Sequence, residues 1–262
     1  MMQSVWQRKV NSATKICLLL LFTLTACSTT TEPLHPDLQT ARHNFNQLTS
    51  EHGLAERINK YQQIQKTFAV FADVEYIIKS ELVLADLYYV NQQVEQAEHA
   101  LEQCKRLAST TIYNHYLADC YLIEFRYTQN SELFQQLDLS KLNQRQLGYW
   151  HFYQNDWQNL AKQLNAIAKL YPADAAYLYY QLGYAQADVS ALASALELAQ
   201  QHKLVQLITD SLFMLSKLYH QQNEHDLSVW YFSLALISAK AHAPQLVEPM
   251  QQWFTANHQA NL

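Results

Sequence analysis

Eleven histidines, four cysteines and a scatter of carboxylates are the residues through which this chain could do chemistry. Metal binding needs donors at fixed short spacings, and no His-Glu-x-x-His, Cys-x-x-Cys or paired Cys/His pattern occurs. His220 and His225 come nearest, flanking Gln221-Gln222-Asn223-Glu224. That segment reads as a solvated turn, so no metal is assigned. Nucleophilic catalysis lacks a Gly-x-Ser-x-Gly elbow. Asp86 and Asp119 recur at equivalent places in successive segments, but scattered acids on helices are ordinarily solvated rather than a glycosidase pair. Three glycines cannot build a phosphate-cradling loop. These exclusions argue against an enzyme, and no cofactor is expected.

The elements that would carry these residues are helices. Breakers are scarce, with 3 Gly and 5 Pro in 262 residues, while hydrophobic residues reach 49%. That balance predicts an all-α domain with a sizeable core. Two of the three glycines share one context, in Gln146-Leu147-Gly148-Tyr149 and Gln181-Leu182-Gly183-Tyr184. The pair belongs to a longer series of leucine followed by a small residue: Leu84-Ala85, Leu117-Ala118, Leu147-Gly148, Leu182-Gly183 and Leu215-Ser216. Its members lie about 34 residues apart, and Tyr88, Tyr121, His151, Gln186 and Tyr219 follow each small residue by one helical turn.

This pattern resembles the first helix of a tetratricopeptide repeat. Second-helix positions agree in three units, at Ala97 and Leu101, at Leu160 and Leu164 with Pro172 beyond, and at Ser228, Phe232 and Ala235. They agree poorly after Leu117 and Leu182. The tryptophan of the motif is replaced by Glu81, Asn114, Gln144, Tyr179 and Leu212. A small residue at this place would let two helices approach closely, which explains glycine inside a helix despite its cost of about 1 kcal/mol. The resemblance implies a right-handed superhelix of about five to six hairpins, over residues 38–262. Residues 38–71 would form a degenerate first hairpin broken at Gly53. Pro244, Pro249 and Trp253-Phe254 mark a C-terminal capping helix.

The first residues read differently. Arg8, Lys9 and Lys15 precede the apolar run Ile16 to Phe22, which is too short to span a bilayer and suits a secretory signal. Leu24-Thr25-Ala26-Cys27 resembles the lipobox of bacterial lipoproteins. The resemblance implies cleavage of residues 1–26, lipidation of Cys27 and, with Ser28 following, anchorage in the outer membrane with the domain facing the periplasm. More than one acyl chain makes such an anchor stable. Residues 27–37, small, polar and proline-broken, read as a flexible tether. Cleavage would remove three basic residues and no acidic one, leaving the chain more acidic than its formal net charge of −5. Nucleic acid is therefore a poor partner.

Cys104 and Cys120 remain, in an oxidising compartment. They form either a disulfide or two small buried thiols. A symmetric hairpin about Ser109-Thr110-Thr111 sets Cys104 opposite residue 116, a turn short of Cys120. In tetratricopeptide proteins the exposed face of the first helices lines a groove for peptides or partner helices. Here its middle would be aromatic: Tyr149, Phe152, Tyr153, Tyr177, Tyr180 and Tyr184. These are either partner anchors or core. Tyr149 and Tyr184 hold corresponding positions and should share one wall. The resemblance implies a lipid-anchored scaffold or adaptor that binds another envelope protein. A small-molecule or haem carrier, and less so a peptidoglycan-active enzyme, are the alternatives.

Overall fold

The computed structural model describes residues 33–48, 53–130 and 132–258. Cys27, the signal segment before it and the start of the tether lie outside the described residues. The chain divides into two units, 1–47 and 48–262. In the first, the described backbone forms α1 (Pro36–Gln47), which begins inside the stretch expected to be tether. Proline at a helix start is favourable, since its missing N–H would have no helical partner there.

The second unit is all-helical among its described residues. Its helices are α2 (Leu54–Val70), α3 (Val74–Val90), α4 (Val94–Ala108), α5 (Leu117–Thr128), the single turn α6 (Glu132–Gln135) and α7 (Gln144–Tyr153). There follow α8 (Trp157–Leu170), α9 (Pro172–Gln186), α10 (Val189–Gln201), α11 (Val205–Gln221), α12 (His225–His242) and α13 (Val247–His258). Short 3-10 turns occupy Asn114–Tyr116, Leu139–Lys141 and Pro244–Leu246.

Successive helices fold back as hairpins: α3 on α4, α7 on α8, α9 on α10 and α11 on α12. First helices also touch across hairpins, α3 against α5, α5 against α7, α7 against α9 and α9 against α11. The Leu117 unit is the exception. Its α5 is followed only by α6 and a 3-10 turn, so it has no full second helix. The Leu182 unit does have one, and its contact positions are filled by Ala191, Leu192, Ala195 and Ala199, all buried. The large second-helix residues of the motif are missing there because alanines permit a tighter approach.

Gly148 and Gly183 serve this approach, whereas Gly53 precedes the first turn of α2 in open space. A Cβ on Gly183 would lie 2.6 Å from Leu192 Cγ and 2.9 Å from the Leu192 amide nitrogen. One on Gly148 would meet Ile167 Cδ1 at 2.5 Å and Leu178 Cδ1 at 3.2 Å. In the last hairpin serines take the same place: Ser216 Oγ donates to Ser228 O and Ser228 Oγ to Ser216 O, both at 2.9 Å. The corners are left-handed and carry no glycine. Ala72, Gln92, Asn155, Lys203 and Asn223 all have positive φ, and the next residue's N–H returns to a carbonyl five positions back. This is the Schellman closure of a helix end.

Leu160, Leu164 and Ile167 of α8 pack with Ala175, Leu178 and Leu182 of α9 in the central core cluster. Leu212, Phe232, Ala235, Ala239 and Met250 form another, beneath α13. Cys104 and Cys120 are joined by a disulfide, Cα–Cα 6.1 Å, against Ile78 and Ala108. The register expected from a short turn is overturned. The α4–α5 connection runs on through the Asn114–Tyr116 turn, so the hairpin is centred near Ile112 and Cys104 faces Cys120.

An aromatic strip between paired carboxylates as the candidate binding surface

One carboxylate on each of α3, α5 and α9 is held by a neighbouring first helix. Asp86 of α3 accepts from Arg126 Nη1 at 2.9 Å and from Tyr127 Oη at 2.7 Å, both on α5. Asp119 of α5 accepts from Arg145 and, at 2.9 Å, from Gln146 Nε2, both on α7. Asp174 of α9 accepts from Tyr149 Oη at 2.9 Å and pairs with Arg145 at 3.7 Å. Gln146 is fully committed. Its side chain also donates to His115 O and closes a reciprocal cap with Asn143 at the start of α7.

Burial pushes the Asp119 carboxyl up, against the pull of Arg145 and Gln146. Burial also opposes the charge of Arg145, and the Asp119 and Asp174 carboxylates more than offset it, so the guanidinium stays cationic. Asp86 and Asp119 are thus each consumed by a cation and a hydrogen-bond donor. Both donors to Asp86 fall on Oδ1, whereas those to Asp119 are shared between its two oxygens.

Between these ties lie the aromatic residues. Tyr149 and Tyr153 stack 6.2 Å apart on α7, and Tyr149 stacks on Tyr177 of α9 at 6.3 Å. Phe152 meets Tyr153, Tyr177 and Trp157 at 5.0, 6.1 and 5.9 Å. Tyr153 continues to Phe125 of α5 at 5.2 Å. Tyr180 and Tyr184 form a separate stacked pair on α9, 6.4 Å apart. Burial raises the hydroxyls of Tyr149 and Tyr153 well above their ordinary range and takes Tyr180 to about 12. All three stay neutral donors in ordinary buffers.

The expectation that Tyr149 and Tyr184 form one wall of equivalent anchors fails. Tyr149 is half-buried against the central core, with its hydroxyl tied to Asp174. Tyr184 is 59% exposed. Tyr149 meets Asp174 and Tyr177 on the next first helix, whereas the ring contact of Tyr184 is Tyr180 on its own helix. Phe152 likewise belongs to packing, through Trp157 of its own hairpin. Tyr153, Tyr177 and Tyr180 are half-buried.

Two residues, Arg126 and Tyr127, were not singled out from the sequence as part of this strip. Tyr127 stacks on Tyr89 at 4.3 Å, and the Arg126 guanidinium stands 5.4 Å from the Tyr127 ring. Following the face of Asp119 and Leu122 one further turn reaches Arg126, so the signal was present. His151 is buried and its Nδ1 meets Asp156 Oδ2 at 3.0 Å across the α7–α8 corner, a structural contact. The rings of His220 and His225 lie 5.8 Å apart. No group of three His, Cys, Asp or Glu among the described residues could hold a metal ion. No described helix is long and apolar enough to cross a membrane. No family model, curated protein or solved structure matches this chain.

Proposed function

We propose that this chain is an outer-membrane lipoprotein, anchored through Cys27, whose hairpins stack as a tetratricopeptide-like superhelix and bind another envelope protein. The observation that supports this most is the set of half-buried Tyr153, Tyr177 and Tyr180 with the exposed Tyr184 stacked on Tyr180. Its neighbouring ion pairs are internally satisfied, which leaves neutral aromatic surface with hydroxyl handles. Such groups anchor protein interfaces, each contributing about 2 kcal/mol when buried by a partner. The acidic balance and the absence of catalytic spacing favour a scaffold over an enzyme or a nucleic-acid binder.

Affinity capture from solubilised membranes, with the full-length lipidated protein as bait, tests the binding surface. The parent should retain an envelope protein that the Tyr184→Ala variant loses, at unchanged melting temperature. Equal capture by both proteins removes the strip from the reading. The anchor has its own test. Cys27→Ala should move the protein out of the detergent-extractable membrane fraction, and an unchanged distribution would refute lipidation.

A further inference from the structure

The C-terminal helix is held against the last hairpin by an unusual group of side chains. His258, in the last turn of α13, stacks on Phe254 at 4.1 Å and lies 4.7 Å from the ring of His220 on α11. His225, at the start of α12, is 5.8 Å from His220. Trp253 closes the group, 5.8 Å from His220 and 5.7 Å from His258. His258 Nε2 meets Ser228 Oγ at 3.2 Å. That hydroxyl also donates to Ser216 O at 2.9 Å. His220 Nδ1 is buried with no hydrogen-bond partner.

We propose that α13 is an acid-released cap, held while His258 is neutral and displaced when it takes up a proton beside His220 and Trp253. A charge on His258, 4.7 Å from the His220 ring in a partly dry site, loses solvation. The surrounding charges do not compensate. From α11 comes Lys217, whose Nζ stands 4.2 Å from the Phe213 ring and 5.9 Å from the Trp253 ring. From α12 come Glu224, at its N-cap, and Asp226, both exposed. Neither is among the groups that act on His258, which are His220, His225 and the Phe254 backbone. Lys240 and His242 sit at the opposite end of α12. Glu248, on the first turn of α13, is engaged by Gln252 at 3.2 Å. The connecting turn Pro244-Gln245-Leu246 has no titratable side chain.

Burial, then His220, lowers the His258 pKa below its ordinary value. A lowered histidine pKa means that the docked state binds fewer protons than the released one. Docking is therefore strongest above about pH 6.5 and weakens as pH falls through that value toward the docked pKa. Release would uncover Phe213 of α11 and Phe232 of α12, together with Met250 of α13 itself. Acid would thus expose a fresh face for a partner or a second copy without unfolding the rest.

Hydrogen exchange of the full chain, corrected for intrinsic rates, tests this at pH 7.5 and pH 5.5. Protection of the α13 amides should fall at pH 5.5, by at most about tenfold, the limit set one unit below the free histidine pKa. Amides of α8 should keep theirs. In His220→Gln/His258→Gln the acid loss should vanish. The exposed His225→Gln variant, which disturbs no packing, should reduce it and serves if the double variant folds poorly. Unchanged α13 protection at pH 5.5, an acid loss that persists in both variants, or simultaneous loss in α8 each overturns the cap.

Discussion

Tyr149 shows how much one hydroxyl and one ring contribute when a neighbouring helix meets them. Its ring lies on the Leu160–Leu178 core and its hydroxyl on Asp174. Truncating Tyr149 to alanine should cost about 3 kcal/mol in urea unfolding, as for a buried aromatic. Removing only the hydroxyl, as phenylalanine, should cost about 1 kcal/mol. Tyr184→Ala should change stability by no more than about 0.5 kcal/mol. Comparable losses at both positions would return Tyr184 to the core. Asp119 is the harsher case. Asp119→Ala would leave Arg145, only 30% exposed, with the weaker Asp174 contact at 3.7 Å. A stranded buried charge should cost about 3 kcal/mol, whereas Asp119→Asn, which keeps an acceptor, should cost less. Stability equal to the parent in Asp119→Ala would mean that the pair is solvent-screened.

At the scale of helices, the two uses of backbone freedom are separated in this chain. Left-handed corners carry no glycine, and Gly148 and Gly183 stand where helices press together. Ala187 at φ 51 ends α9, a conformation that costs an L-residue about 1 kcal/mol relative to glycine. Ala187→Gly should therefore raise stability by up to that amount, read as a shift in the urea midpoint. Gly183→Ala should lower it by about 1–3 kcal/mol, because the new methyl strikes the Leu192 backbone. Gly148→Ala should cost less, since the Ile167 side-chain tip can turn away. If both glycine variants cost the same, backbone proximity is not what distinguishes the sites. The helices were legible because apolar residues recur at helical spacing and breakers are few. Individual hairpins were legible where a large residue marked the second helix. In α10 the markers are alanines, and in the Leu117 unit the second helix does not form.

Across the whole unit, the ties are of two kinds. Helix-to-helix hydrogen bonds through Asp86, Asp119 and Asp174 run along the first helices, and one covalent bridge joins α4 to α5. The bridge closes a short loop of sequence separation 16, for which lost chain entropy predicts about 3 kcal/mol of stabilisation. Reduction under native conditions should lower the urea midpoint accordingly, and two thiols should titrate only after reduction. Two thiols titrating in the denatured, unreduced protein would refute the bridge. The cysteine register was illegible because a 3-10 turn leaves no periodic trace. The exposure of each tyrosine was illegible for a related reason: a residue's own helix fixes its face, but the adjoining hairpin decides whether that face is covered.

The missing second helix of the Leu117 unit has one further consequence. Between Gln129 and Asn143 the chain runs through exposed residues whose hydrogen bonds close on near neighbours, such as Ser140 on Asp138. Among the described residues there, Leu133 alone is buried. Such a segment can lengthen without tearing a ladder of main-chain bonds, since the entropy of a longer loop grows only slowly. It is the place at which this molecule could accept a foreign domain, a fluorescent reporter or a protease recognition sequence, and still close its helices on either side.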